Sequence, residues 1–226
     1  MDSDVALKGA LSDRLRWTLN WQSANLMPLL RQEGAEQKLF DFWATTRRMA
    51  DVLALTGLGE GSLSVDVGGG LTTPLRWFPG RRVCADPLAS HYSTLFDLPT
   101  DRVEFVSNHG EALPMTDASV DLVVCTNCID HVADPVGVIG EIERVLRPGG
   151  WFWFSCEIKP LGAIRNAGHP HAMDREAVGD LIARFDVVLA WEEPWRGLHR
   201  FMLGKGPKVA VELGFLVRRM EGPSHE

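Results

Sequence analysis

A chain of 226 residues with 45% apolar side chains can bury a sizeable core, and its length suits one domain with an extension. A formal net charge of −7 argues against a nucleic-acid partner, because that polyanion asks for a basic patch, and favours a small-molecule partner instead. No apolar run of about 18 residues is present to cross a bilayer, and Met1-Asp2-Ser3-Asp4 lacks the basic start of a secretory signal. The expectation is a cytoplasmic protein with no membrane partner.

Leu7, Leu11, Leu15 and Leu19 recur every four residues, Leu26 and Leu30 continue that face, and Trp17 and Trp21 adjoin it. This spacing predicts a helix over 5–31. Leu39, Phe42, Trp43, Thr46, Met49, Ala50 and Leu53 predict a second helix over 36–56, stopped by Gly57 and Gly59. A strand at 63–67 follows. Thr73-Pro74 then reads as a helix start, with a capping hydroxyl and a proline at the first helical position, and Pro79-Gly80 ends that helix early. Strands are expected at 82–85 and 103–106, with a helix at 87–96 between them, and a fully buried strand at 120–126. Asp134-Pro135 opens a helix that turns Val138, Ile139, Ile142, Val145 and Leu146 to the sheet, and Pro148-Gly149-Gly150 closes it. A strand at 151–156, a helix capped by Asp174, and strands at 187–191 and 209–217 complete the chain. Strands separated by helices predict an α/β fold with a mainly parallel, doubly wound sheet.

The chemistry begins at Val65-Asp66-Val67-Gly68-Gly69-Gly70, answered by Asp86 at the end of the next apolar run. Glycines directly after a buried strand let backbone approach a ligand closely, and a carboxylate beyond the crossover can grip ribose hydroxyls. The dinucleotide fingerprint wants a third glycine where Thr73 stands, which disfavours a nicotinamide or flavin dinucleotide. The pattern continues with Gly110-Glu111-Ala112-Leu113-Pro114, Val120-Asp121-Leu122-Val123-Val124 and Glu141-Ile142-Glu143-Arg144-Val145-Leu146-Arg147-Pro148-Gly149-Gly150. In this order and spacing, residues 61–157 resemble class I S-adenosylmethionine-dependent methyltransferases, in the small-molecule branch called type 11.

That resemblance implies a Rossmann-like seven-stranded sheet with an antiparallel last strand, residues 61–226 as the cofactor-binding domain, and residues 1–60 as an N-terminal helical extension over the pocket. The implied cofactor is S-adenosyl-L-methionine. Asp66 would support the glycine turn and the methionine amino group; Gly68, Gly69 and Gly70 would admit the cofactor, with Thr72 at the place of a frequent third family glycine. Asp86, followed by Pro87, would accept from the ribose hydroxyls. The family's adenine-binding aspartate corresponds to His109, so that contact falls to backbone at Gly110 and Glu111, or to the side chain of Glu111 or Asn108. Asn127 would face the methionine part of the cofactor.

Methyl transfer to an oxygen, nitrogen or carbon acceptor mainly needs alignment and exclusion of water, with a base where a proton must leave. His131 matches a family histidine and reads as structural or as that base. His169 and His171, on the loop after the fifth strand, are candidates for base, substrate binding or loop packing, and Glu157 also faces the acceptor side. No metal is expected, since two histidines one residue apart lack a usual ligand spacing and would need His131 or Asp174 besides. Cys84, Cys125 and Cys156 read as small buried apolar groups, although Cys125-x-x-Cys128 has redox-motif spacing. Trp43, Trp77, Trp151 and Trp153 read as core, Trp17, Trp21 and Tyr92 as core or pocket wall, and Arg47, Arg48 and Arg165 as solvated or meeting an acidic acceptor. Aromatic surface on the leader helices also allows a homodimer. A non-catalytic S-adenosylmethionine-binding protein of the same fold stands as the alternative, and a nicotinamide oxidoreductase behind it.

Overall fold

In a computed structural model, which describes residues 11–158, 167–206 and 210–220, the strands are β1 (Leu63–Val67), β2 (Arg81–Ala85), β3 (Glu104–Val106), β4 (Val120–Thr126), β5 (Leu146–Ile158), β6 (Phe185–Pro194) and β7 (Val211–Arg219). They form one sheet in the order β3-β2-β1-β4-β5-β7-β6. The first five pair in parallel, and β7 lies antiparallel between β5 and β6. This is the mainly parallel, doubly wound sheet with a reversed last strand that the sequence implied.

Each face of the sheet has its own cover. On one face, Val138, Ile139, Ile142 and Val145 of α6 (Pro135–Val145) and Val178, Leu181 and Ile182 of α7 (Arg175–Ile182) pack over Val65, Val83, Val123 and Phe152. These helices begin as read, with Asp134 accepting from the Val136 N–H and Asp174 from the Ala177 N–H. On the other face, α3 (Ala35–Thr46) and α4 (Met49–Thr56) set Leu39, Phe42, Trp43, Met49 and Val52 against Leu122, Val124, Trp151, Trp153 and Trp191.

The leader helices are needed there because the β1-to-β2 crossover is short. Thr73 does cap, its hydroxyl accepting from the Leu75 N–H at 3.2 Å, but Pro79 follows so soon that residues 70–72 and 74–77 form two 3₁₀ turns instead of the expected helix. A crossover that small leaves apolar sheet uncovered, and α3 and α4 bury it.

Three other expectations are corrected. The leader helix is α1 (Asp13–Trp21), a π-helical stretch Gln22–Leu26 and α2 (Met27–Leu30); residues 5–10 of the expected span lie outside the described residues. Pro28 accounts for the widening, because it has no N–H for the helix ladder and its ring crowds the carbonyl four residues back. The second helix is broken at Arg48, whose φ of 62° is left-handed. Strands β5 and β6 outrun their predicted ends, β5 beginning at Leu146 and β6 at Phe185. The remaining short helices are α5 (Ala89–Leu95) and α8 (Leu198–Met202).

All four cysteines are free thiols. A hydrogen bond with Cys128, together with burial, pushes the Cys125 thiol up, which is the reverse of what a reactive thiolate requires. No helix among the described residues is long and apolar enough to cross a membrane.

Candidate active site

A cavity of about 660 Å³ opens at the carboxyl ends of β1, β2, β4 and β5. The connections reverse direction between β1 and β4, so this is the crevice in which open α/β sheets bind ligands. Its volume falls within the range of small-molecule pockets, roughly 300–1,000 Å³. Arg14, Trp17, Trp21 and Leu26 of the leader, Phe42 and Trp43 of α3, Arg47 just past it, Trp195 and residues 197–200 roof it.

The glycine turn forms its floor. Gly68 takes a φ of 70° and donates its N–H to the Ala85 carbonyl at 2.8 Å, and a Cβ at Gly68 would stand 2.2 Å from Cys128 Sγ. A Cβ on Gly69 would lie 1.9 Å from Asp66 Oδ2. Asp66 therefore sits directly behind the loop. Gly68 and Gly69 line the cavity, whereas Asp66 and Gly70 lie beneath its lining. Asp86 and Pro87 line it from the end of β2, and the Leu88 N–H donates to Asp86 Oδ1 at 2.8 Å.

Both carboxyls are held neutral more readily than in water. Burial, opposed by a Thr73 hydrogen bond and reinforced by the Asp86 charge, pushes Asp66 up to about 7. Burial raises Asp86 to about 6 against the N–H groups of Leu88 and Gly70. Asp66 has no hydrogen-bond partner for either oxygen among the described residues other than that Thr73 interaction. The folded protein thus holds protons that the unfolded chain releases above about 4, so stability falls as pH rises through these raised values. Urea unfolding of the ligand-free protein is expected to show a loss on the order of 4 kcal/mol between pH 5 and pH 8, at about 1.4 kcal/mol per pH unit for each group up to its raised value. Asp66→Asn should flatten that slope; a slope unchanged in the variant would contradict the assignment.

His109 is exposed at the rim, and Gly110 packs so closely that a Cβ would meet Val67 Cγ1 at 2.7 Å. Glu111 lines the cavity, but its Oε1 accepts from the N–H groups of Ala133 and Asp134 at 2.8 and 3.1 Å. Partial burial would raise its carboxyl, yet those hydrogen bonds hold it below the usual range. Its side chain is therefore committed to the turn before α6. Asn127 projects from the end of β4 with a φ of 51° and donates its N–H to the Ser155 carbonyl at 2.8 Å.

His131 and His169 also line the cavity, with ring centroids 4.3 Å apart, while His171 does not line it. His171 instead places Nε2 3.1 Å from the Val132 carbonyl. Trp17 meets His169 edge-on at 5.1 Å, and Trp21 meets His199 edge-on at 5.6 Å. Trp17, Trp21 and Tyr92 all line the cavity, as does Glu157. Arg165 lies outside the described residues.

The sequence reading missed Arg14, Trp195, His199 and Arg200 as cavity residues, and it placed Trp43 in the core alone. Trp43 does both, being 5% exposed while its Nε1–H donates to the Thr72 carbonyl at 2.8 Å and so ties α3 to the glycine loop. Arg47, read as solvated or meeting an acidic acceptor, is not solvated: it is buried, borders the cavity and holds a guanidinium nitrogen 2.5 Å from Glu212. An arginine just past the end of α3, followed by left-handed backbone at Arg48, leaves no periodic signal for this inward turn.

Comparison with known proteins agrees with this geometry. Residues 65–154 match the model of the methyltransferase domain family. An uncharacterized methyltransferase of Mycobacterium avium is 32% identical over 147 residues, covering 57% of this chain and 54% of that protein. A human thiol S-methyltransferase is 36% identical over 155 residues, covering 65% and 62%. The chain spans about half the length of the first curated relatives it matches. Among solved structures, the YcgJ protein of Bacillus subtilis superposes with a TM-score of 0.59 at 14% identity, over 77% of this chain and 98% of that one, a likeness of fold. Residues 65–154 thus match the methyltransferase domain family, the type 11 branch of class I enzymes, a family whose cofactor is S-adenosylmethionine.

Proposed function

We propose that this chain transfers a methyl group from S-adenosylmethionine to a small-molecule acceptor. The observation that carries the reading is the cavity-lining carboxyl of Asp86 beside the Gly68–Gly69 floor, at the crevice where a nucleoside would lie. The bare backbone at Gly68 and Gly69 leaves room that any side chain would fill, and Asp86 offers acceptor oxygens for two ribose hydroxyls. The cofactor supplies an electrophilic methyl on a sulfonium. Asp66 braces the loop from behind, Pro87, His109 and the Gly110–Glu111 backbone flank the nucleoside, and Asn127 borders the methionine end.

Residues 1–60 act in this reading as a helical cap on the domain at 61–226. The cap contributes Trp17, Trp21 and Phe42, which with Trp195 make an aromatic wall that excludes water and aligns a flat or apolar acceptor. Where the acceptor must lose a proton, His131 and His169 are the imidazoles within the cavity. The name of the human relative adds sulfur to oxygen, nitrogen and carbon as an acceptor atom.

Incubation with S-adenosylmethionine and a panel of phenols, thiols, amines and carboxylic acids, with S-adenosylhomocysteine measured by mass spectrometry, tests this directly. Acceptor-dependent product is expected for at least one class. Tight binding without product across the panel would favour a non-catalytic cofactor-binding protein, and absence of binding would reject the cofactor assignment.

A further inference from the structure

His131, which the family pattern carries, and His169, which the sequence left among several roles, meet a third group that neither motif includes. Asp130 and His131 lie on the 3₁₀ turn Ile129–His131 after β4, and His169 comes from the loop after β5. One ligand-capable atom from each of Asp130, His131 and His169 lies within 4.8 Å of the others. Asp130 is 2% exposed, and its Oδ1 stands 3.7 Å from His131 Nε2.

The tautomer of His131 follows from its other nitrogen. Nδ1 lies 2.5 Å from the Gly168 carbonyl, so Nδ1 must carry the proton it donates. In the neutral ring, Nε2 is then a lone pair turned toward a carboxylate oxygen. Arg14 donates to the His131 carbonyl at 2.6 Å, and Gly168 packs so closely on Trp17 that a Cβ would stand 2.0 Å from the indole. Both backbone segments are therefore pinned. An imidazole N–H given to a backbone carbonyl while the other nitrogen is offered inward is the outer-shell arrangement that orients metal-ligating histidines.

We propose that Asp130, His131 and His169 form a site for a divalent transition-metal ion of the zinc class at the acceptor end of the cavity. Metal–ligand bonds of about 2.0–2.1 Å place ligand atoms roughly 3.4 Å apart around a tetrahedral ion, so small side-chain movements close the set. Two imidazoles and one carboxylate suit zinc, cobalt or iron and are poor ligands for magnesium or calcium, which take oxygen. Three protein ligands leave a coordination position facing the cavity, as catalytic sites do. The acceptors selected would be those with a hydroxyl, thiol or carboxylate donor, whose acidity such an ion increases, over tertiary amines. The inference goes beyond methyl transfer, and metal binding reads it without turnover.

The test is titration of the chelator-treated full chain with Co²⁺, followed by visible absorption, with Zn²⁺ and Mg²⁺ as competitors and metal content measured by mass spectrometry. One equivalent is expected to bind with micromolar affinity, to be displaced by Zn²⁺ and to ignore Mg²⁺. Asp130→Asn and His169→Gln should each weaken binding at least tenfold with an unchanged far-ultraviolet circular dichroism spectrum, and His171→Gln should leave it intact. Failure of the unaltered protein to bind Co²⁺ or Zn²⁺, alone or with S-adenosylhomocysteine present, overturns the proposal, whatever the variants do. Equal loss in His169→Gln and His171→Gln would also overturn it, since that marks adventitious binding to surface imidazoles.

Discussion

Asp86→Ala is expected to weaken S-adenosylhomocysteine binding by at least about 100-fold, measured by titration calorimetry, while leaving the thermal midpoint nearly unchanged. Two hydroxyl donors to an ionised carboxylate contribute about 1.5–3 kcal/mol each, and their joint loss corresponds to roughly 10²–10⁴ in affinity. Folding is spared because burial already opposes the charged form of Asp86. The substitution removes that penalty together with the hydrogen bonds from the Leu88 and Gly70 N–H groups, and each such bond contributes only about 1 kcal/mol net. The pH dependence has a definite sign. Below the raised value of about 6 the carboxyl is protonated and loses acceptor capacity, so binding to the unaltered protein should tighten as pH rises from 5 to 7. Asp66→Asn acts differently, because Asp66 lies behind Gly69 and not on the cavity surface. It should change affinity less than Asp86→Ala and flatten the stability profile instead. Unchanged affinity in Asp86→Ala would remove the nucleoside reading of this cavity.

The sheet was legible in the sequence because its strands are short apolar runs separated by strong turn signals. Val120 to Cys125 is almost wholly apolar and buried, and Asp134-Pro135 and Asp174 cap helices where the pattern placed them. Local signals failed where long-range packing decided. Thr73-Pro74 has the chemistry of an α-helix start, but the helix it promised is replaced by 3₁₀ turns, and the leader helices cover the exposed sheet in its place. Pro79 announces only that the element is short, not that α3 and α4 cover the sheet in its place. The glycine floor and Asp86 were readable because they depend on spacing along the chain. The roof was not, since Trp195 reaches the cavity from an irregular stretch after β6 and His199 from the short helix α8, too brief to show a helical period. His171 illustrates the same limit in reverse, being two residues from His169 and turned to a backbone carbonyl.

Arg47→Ala is expected to cost about 3–5 kcal/mol of stability at pH 8, the range for removing one partner of a buried ion pair. Glu157, Glu212 and Glu193 stand directly opposite one another across β5, β7 and β6, and like charges so placed repel. Arg47 and Glu212 are 3% and 2% exposed, and Arg47 reaches this row from the end of α3. Burial raises the Glu212 carboxyl, and the Arg47 charge is the main influence holding it down. Without Arg47, the folded protein would keep Glu212 protonated to higher pH than the unfolded chain, so the variant's stability falls as pH rises. The loss should accordingly be smaller at pH 5 than at pH 8 in urea unfolding. Glu212→Gln in the Arg47→Ala background should recover much of the deficit at pH 8, because a neutral amide carries no buried charge to compensate. A small loss, equal at both pH values and untouched by the second substitution, would show that the pair does not hold the cap to the sheet. The left-handed turn at Arg48 then acquires its reason: ending α3 at Thr46 lets the chain turn Arg47 inward to the row of carboxylates that crosses β5, β7 and β6.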